Sequence, residues 1–213
     1  YPSYVRALAR LAFIDPAWIH WGMPLEDAVR RTRARHERLR MLRVYLGDTQ
    51  KALAGRPGIR VDHGAVSLYE HRDPRKRLVP PPDYVETLSG LAGIDPALVD
   101  ERFFIRRLLR ESSFARRLAL ARQQLGLTPD ELSAQRGIHA SAAEIIVYEA
   151  EEPEAAREAP ESYAADLAAL LGLEPELLNR RFFLRRLLEI KEDHERLRAA
   201  RRFLRYGKRD LAA

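Results

Sequence analysis

DTQKALAGRPGIRVDHGAVSLYEHR, residues 48 to 72, reads as two short helices around a tight turn. Asp48 or Thr49 stands where an N-cap would supply a side-chain oxygen to unpaired backbone N–H groups, and the first helix then runs to about Ala54. Gly58 marks the turn, and a second helix opens at Asp62. The stretch recurs, altered, 79 residues on as TPDELSAQRGIHASAAEIIVYEAE from Thr128. There Thr128, Pro129 and Glu131 form a capping box with proline at the first helical position, and Ser141 with Glu144 forms a second box. Two capped helices of fewer than about ten residues joined by a glycine-containing turn are the sequence form of a helix-turn-helix.

Working outward, a second motif recurs three times at the same period. SYVRALARLAFIDPAWI from Ser3, DYVETLSGLAGIDPALV from Asp83 and SYAADLAALLGLEPELL from Ser162 are spaced 80 and 79 residues apart. Ser3, Asp83 and Ser162 are placed to cap a helix, and Asp15-Pro16, Asp95-Pro96 and Glu174-Pro175 to restart one. Such a period defines the architecture before any single motif does. The expected layout is the closing helices of a partial repeat over 1–30, one repeat over 31–110, another over 111–190, and the start of a third over 191–213. Without an initiating methionine, the sequence reads as a piece of a longer product.

The connections read as long helices. RFFIRRLL at 102–109 returns as RFFLRRLL at 181–188, so Phe103, Phe104, Leu108 and Leu109 recur as Phe182, Phe183, Leu187 and Leu188. This stripe is either a core seam between repeats or a dimer interface. From Pro96 to Leu125 the helical period hardly lapses, and from Pro175 to about Tyr206 nothing breaks it, which predicts a shared helix of roughly 45 Å. The run RRTRARHERLRMLRVYLG before Asp48 predicts a helix whose Arg31, Arg33, Arg35, Arg38, Arg40 and Arg43 lie largely off the apolar side, on a solvated face.

Composition bounds the function. The 213 residues suffice for two compact cores. There is no cysteine, which excludes disulfides and thiolate metal sites and suits a cytosolic protein. No run of about 18 apolar residues is present, so no membrane span is expected, and the first residues lack the order of a signal peptide. The net charge is +6, but its distribution says more. Residues 31–80 carry thirteen Lys and Arg against five acids, whereas 111–160 carry five Arg against nine acids. Phosphate attraction favours the first region and opposes the second.

The series Thr49-Gln50, Leu53-Ala54, Gly58-Ile59, Val66-Ser67 and Tyr69-Glu70, with basic residues and prolines after it, resembles the lambda-repressor-like (Cro or XRE type) helix-turn-helix family. The resemblance covers roughly 35–100 and, more weakly, 114–178, with a turn about two residues longer than is usual in both copies. It implies an all-α chain of tandem five-helix repeats joined by long helices, in which the third helix of a repeat enters the DNA major groove. It further implies a bacterial transcriptional regulator or DNA-organising protein in the cytoplasm, at the nucleoid, with double-stranded DNA as partner. Thr49 and Gln50 would then meet phosphate or a base edge, and Arg72, Arg75, Lys76 and Arg77 would meet phosphates. The residues themselves add Lys51, Arg56 and Arg60 as phosphate-neutralising cations. Asp62, His63, Ser67 and His71 offer hydrogen-bonding groups on the second short helix. In the second copy Ile146 replaces Ser67 and Glu144 replaces Ala65, which points that copy toward a protein partner or a homodimer.

Enzymatic chemistry is not expected. The six histidines are dispersed, and HERLR at 36 and at 194 has Arg40 and Arg198 where a zinc-binding helix needs its second histidine, so it reads as a relic of the repeat. No metal, cofactor, P-loop, dinucleotide fingerprint or nucleophile elbow is indicated. Against the DNA-binding reading stands a helical scaffold that uses the same repeats, the acidic face over 144–158 and the Phe-Phe stripes to bind protein.

Overall fold

A computed structural model describes residues 2–12, 14–151 and 158–208, with the backbone alone at 2, 3 and 201–208. The described residues form sixteen helices and no strand. In order these are α1 Pro2–Ala12, α2 Pro16–Trp21, α3 Leu25–Arg31, α4 Arg35–Tyr45, α5 Gln50–Ala54, α6 His63–Tyr69, α7 Pro82–Ala92 and α8 Pro96–Val99. There follow α9 Glu101–Arg110, α10 Phe114–Leu125, α11 Pro129–Ser133, α12 Ala142–Tyr148, α13 Glu161–Leu171, α14 Pro175–Leu178, α15 Arg180–Glu189 and α16 Asp193–Lys208. The chain divides into two compact units after Glu101, nine residues before the end of the first repeat read from sequence.

In the first unit α4 is the central element, packed on α7, α8, α1 and α3, while α5 packs on α6. Leu39, Leu42 and Leu46 recur at three- and four-residue spacing, so one face of α4 enters the core with Leu53, Val66, Tyr84, Val85 and Leu88. Each such aliphatic side chain contributes roughly 1.5–3 kcal/mol by leaving water. The short helices survive in this setting because their ends are capped. Thr49 Oγ1 accepts from Ala52 N at 3.1 Å and the Asp62 carboxylate from Ala65 N at 2.7 Å. Gly58, at φ +89°, adopts the left-handed backbone that turns the chain between them.

The second unit repeats this scheme with α10 on α13 and α14, and α11 on α12. Both capping boxes expected from sequence form, at Thr128 with Glu131 and at Ser141 with Glu144. Asp15 and Asp95 cap the helices they precede, whereas Glu174 makes no side-chain cap bond. Asp83 and Ser162 lie inside the first turns of α7 and α13, whose N-cap positions are Pro81 and Pro160. Ser3 likewise falls within α1.

The long connecting helices are not continuous. Asp100 (φ −134°, ψ 120°) and Asn179 (φ −124°, ψ 111°) are extended, and each ends a helix. Asn179 also caps α15 through Arg181 N, and Ser113 caps α10 through Arg116 N. Thr32 to Ala34 interrupts the arginine-rich run in the same way between α3 and α4. A side chain that offers the backbone an alternative partner breaks a helix that apolar periodicity would continue. The aromatic stripe divides as well: Phe104 and Leu108 are buried on α9, but α15 has no buried residue and Leu188 is 80% exposed.

Candidate nucleic-acid interface

The surface built by α5, α6 and the following loop carries the residues singled out from sequence. Val66 and Tyr69 anchor α6 in the core, which leaves His63 exposed at its first position and Ser67 half-buried. The loop beyond it turns back, with Leu78 N donating to Leu68 O at 3.2 Å, so residues 71–77 are held near the end of α6. On that surface Lys51, Arg60, Arg72, Arg75 and Lys76 are exposed.

Other expected contacts are already committed to the fold. Arg56 forms a two-point ion pair with Asp48 and reaches Leu46 O, so it locks α5 to the end of α4 and does not stand free for phosphate. Arg77 folds back to donate to His71 O at 2.9 Å and Arg72 O at 2.8 Å. His71 Nδ1 accepts from Asp73 N at 3.0 Å, which leaves the neutral ring's proton on Nε2. Gln50 Nε2 donates to Glu70 at 3.2 Å and is held in place, and the Thr49 hydroxyl serves as cap while remaining exposed.

Arginines read from sequence as one solvated face prove to have separate fates. Arg43 is buried and bound to Glu70. Arg35 reaches Asp100 at 3.3 Å. Arg38 donates to the carbonyls of Thr32, Arg33 and Leu98, joining α4 to the end of α3 and to α8, and burial lowers its pKa from the ordinary value.

No known protein family, curated protein or solved structure matches the chain.

The two units differ most in their uncommitted charge. Residues 31–80 retain eight exposed cations with no side-chain hydrogen bond or ion pair: Arg31, Arg33, Arg40, Lys51, Arg60, Arg72, Arg75 and Lys76. Among the described residues of 111–151, only Arg136 is such a cation, because Arg116, Arg117 and Arg122 are engaged. The α12 surface presents Glu144, whose carboxylate returns to Ser141 N, and Ile146 at 59% exposure. The acidic stretch 152–157 lies outside the described residues. Nor do the described residues bring three His, Cys, Asp or Glu side chains together, and none of their helices is long and apolar enough to cross a membrane.

Sequence reasoning missed the roles of Arg38, Arg43 and Glu70. Their signal was present: Arg117, Arg122 and Glu149 stand 79 residues on, where Arg117 again donates to the carbonyl six residues before it and Arg122 again pairs with the glutamate. Even Arg196, in the second HERLR, donates to Ile190 O at 2.5 Å as Arg38 does to Thr32 O. HERLR is therefore a corner staple between consecutive helices.

Proposed function

We propose that the chain is a tandem lambda-repressor-like regulator or DNA-organising protein whose first repeat, α4 to α8, binds duplex DNA through α5, α6 and the 71–77 loop. The observation that carries this reading is the contrast in uncommitted charge: eight exposed free cations over 31–80, five of them on this surface, against one among the described residues of 111–151. Free cations release counterions from DNA on binding, whereas guanidinium groups already paired with carboxylates do so poorly. Lys51, Arg60, Arg72, Arg75 and Lys76 set the register on the backbone, and His63 and Ser67 face base edges. Arg56 and Arg77 shape the surface and do not touch phosphate. Fluorescence anisotropy with a selected duplex tests the reading. Arg75→Glu with Lys76→Glu weakens binding at least tenfold, and Arg136→Glu leaves it unchanged. Equal effects from both regions would remove the proposal.

The second repeat favours a protein contact. Ile146 stands exposed on α12 where the first repeat has Ser67, and a net-acidic surface repels phosphate.

A further inference from the structure

Not all of the uncommitted charge in the first unit belongs to the surface built by α5, α6 and the neighbouring loops. Arg31, Arg33 and Arg40 lie elsewhere, on α3, on α4 and between them. Two of these three, Arg31 and Arg40, line a cavity of about 510 Å³ bounded by α2, α3 and α4. That volume is in the range of pockets for small organic molecules.

The wall on α4 follows from helical spacing. Glu37, Arg40, Met41 and Val44 fall three and four residues apart, on the side of the helix away from the core residues Leu39, Leu42 and Leu46. Trp21 and Met23 at the end of α2, with Ala28 on α3, continue the apolar lining begun by Met41 and Val44. The Thr32 hydroxyl donates to Ala28 O at 2.9 Å and lies 3.2 Å from Met41 Sδ, which fixes α3 against α4 at the cavity wall. In the second unit the matching residues of α10, Ala119, Leu120 and Gln123, are not buried either, so this side of the helix is open in both. There, however, Ala119 stands in place of Arg40 and Arg107 in place of Ala28, which removes both the cation and the space.

The charges of the lining select a ligand. Arg31 and Arg40 against Glu37 leave one net positive charge, and burial lowers the pKa of His20, so its ring is neutral at pH 7.5. A guanidinium presents a planar fork suited to a carboxylate or sulfonate. The Trp21 ring, 5.1 Å from that of His20, and the adaptable side chains of Met23 and Met41 suit a flat apolar body. We propose that this cavity binds a small organic monoanion with a flat apolar body, its acid group held by Arg31 and Arg40 and its rings against Trp21 and Met41. The inference stands apart from DNA binding, since none of these residues belongs to the proposed DNA surface.

Titration of the full chain with 8-anilinonaphthalene-1-sulfonate at pH 7.5, followed by the fluorescence of this flat aromatic monoanion, tests the proposal. The unmodified chain takes up one molecule saturably, and holds the uncharged analogue N-phenyl-1-naphthylamine at least tenfold more weakly. Arg31→Glu with Arg40→Glu weakens sulfonate binding at least tenfold. Arg136→Glu with Lys191→Glu, an equal change of charge at exposed sites in the other unit, alters it less than twofold. Met41→Trp fills the cavity and weakens both probes at least tenfold. Helicity and melting temperature serve as folding controls, and because Arg31 and Arg40 are exposed, the charge reversal tests the site even if Met41→Trp fails to fold. Absence of saturable binding, equal affinity for the uncharged analogue, equal effects of the two charge-reversed pairs, or undiminished binding by a folded Met41→Trp variant would each overturn the proposal.

Discussion

Arg43 and Glu70 meet in a buried two-point ion pair, with Arg43 Nε on Oε1 and its terminal nitrogen on Oε2, both at 2.7 Å. The same guanidinium donates to Asp48 O at 2.8 Å, so one side chain joins α4, the end of α6 and the entrance to α5. Arg122 and Glu149 reproduce the arrangement in the second unit, with Leu127 O in place of Asp48 O. Tyr69 lies 5.1 Å from Tyr84 beside the first pair, and Tyr148 lies 5.4 Å from Tyr163 beside the second. Burial, with the nearby glutamate adding to it, raises the pKa of Tyr84 and of Tyr163.

Breaking this pair leaves a charge buried without its partner, which costs about 3–5 kcal/mol. Glu70→Ala is therefore expected to lower the stability of the first unit by that amount in urea denaturation followed by circular dichroism. Replacing both residues, Arg43→Met with Glu70→Leu, removes the desolvation penalty along with the attraction and costs much less. If the double variant were as unstable as Glu70→Ala, the pair would not be the source of the loss.

Arg38 makes a second kind of anchor, because its planar fork serves three carbonyls. Arg38→Ala leaves them without their donor and is expected to cost about 2–3 kcal/mol. Arg38→Lys keeps the charge but not the fork, and recovers less than half of the loss. Arg117→Ala should do the same in the second unit. Thermal melts of the three variants check this, and full rescue by lysine would show that charge alone matters.

The caps at Thr49, Asp62, Thr128 and Ser141 were legible in the sequence because each bond closes within three residues. The helix breaks at Asp100 and Asn179 were not, since the apolar period runs straight through them. The arginines were the least legible part of the candidate site. Arg56 and Arg72 look alike in sequence, yet Arg56 has Asp48 within reach and Arg72 is exposed. Their fates depend on carboxylates and carbonyls brought near by tertiary packing, which leave no local trace. Comparing the copies position by position recovers part of it, because Arg43 and Glu70 recur together as Arg122 and Glu149.

That separation of arginines makes the salt dependence of the proposed DNA binding diagnostic. Lys76→Gln and Arg75→Gln each remove one exposed cation, and each is expected to lower the slope of log affinity against log salt by about 1. Arg56→Gln breaks an ion pair with Asp48, so it should lower the melting temperature while leaving the slope nearly unchanged. Anisotropy titrations at several salt concentrations distinguish the two classes. A loss of slope with Arg56→Gln, at unaltered stability, would place Arg56 on the phosphate backbone after all.

His36 gives the first unit an acid-sensitive core position. It is 9% exposed and its Nδ1 has no partner. Burial holds its pKa below the ordinary 6.5, with Arg77 and Arg72 adding to the effect and Glu37 opposing it. The unfolded chain therefore takes up this proton at a higher pH than the folded chain does. Its neutral form is compatible with full stability above pH 6.5, and stability is lost as pH falls from 6.5 through the lower folded value. His20, whose pKa burial also lowers, acts in the same direction. His36→Gln keeps a neutral polar side chain and removes one of the two titrations. Urea denaturation at pH 7.5, 6.0 and 5.0 should show a shallower loss on acidification for the variant than for the unmodified chain. Parallel losses would mean that His36 is protonated in the folded protein as readily as in the unfolded one.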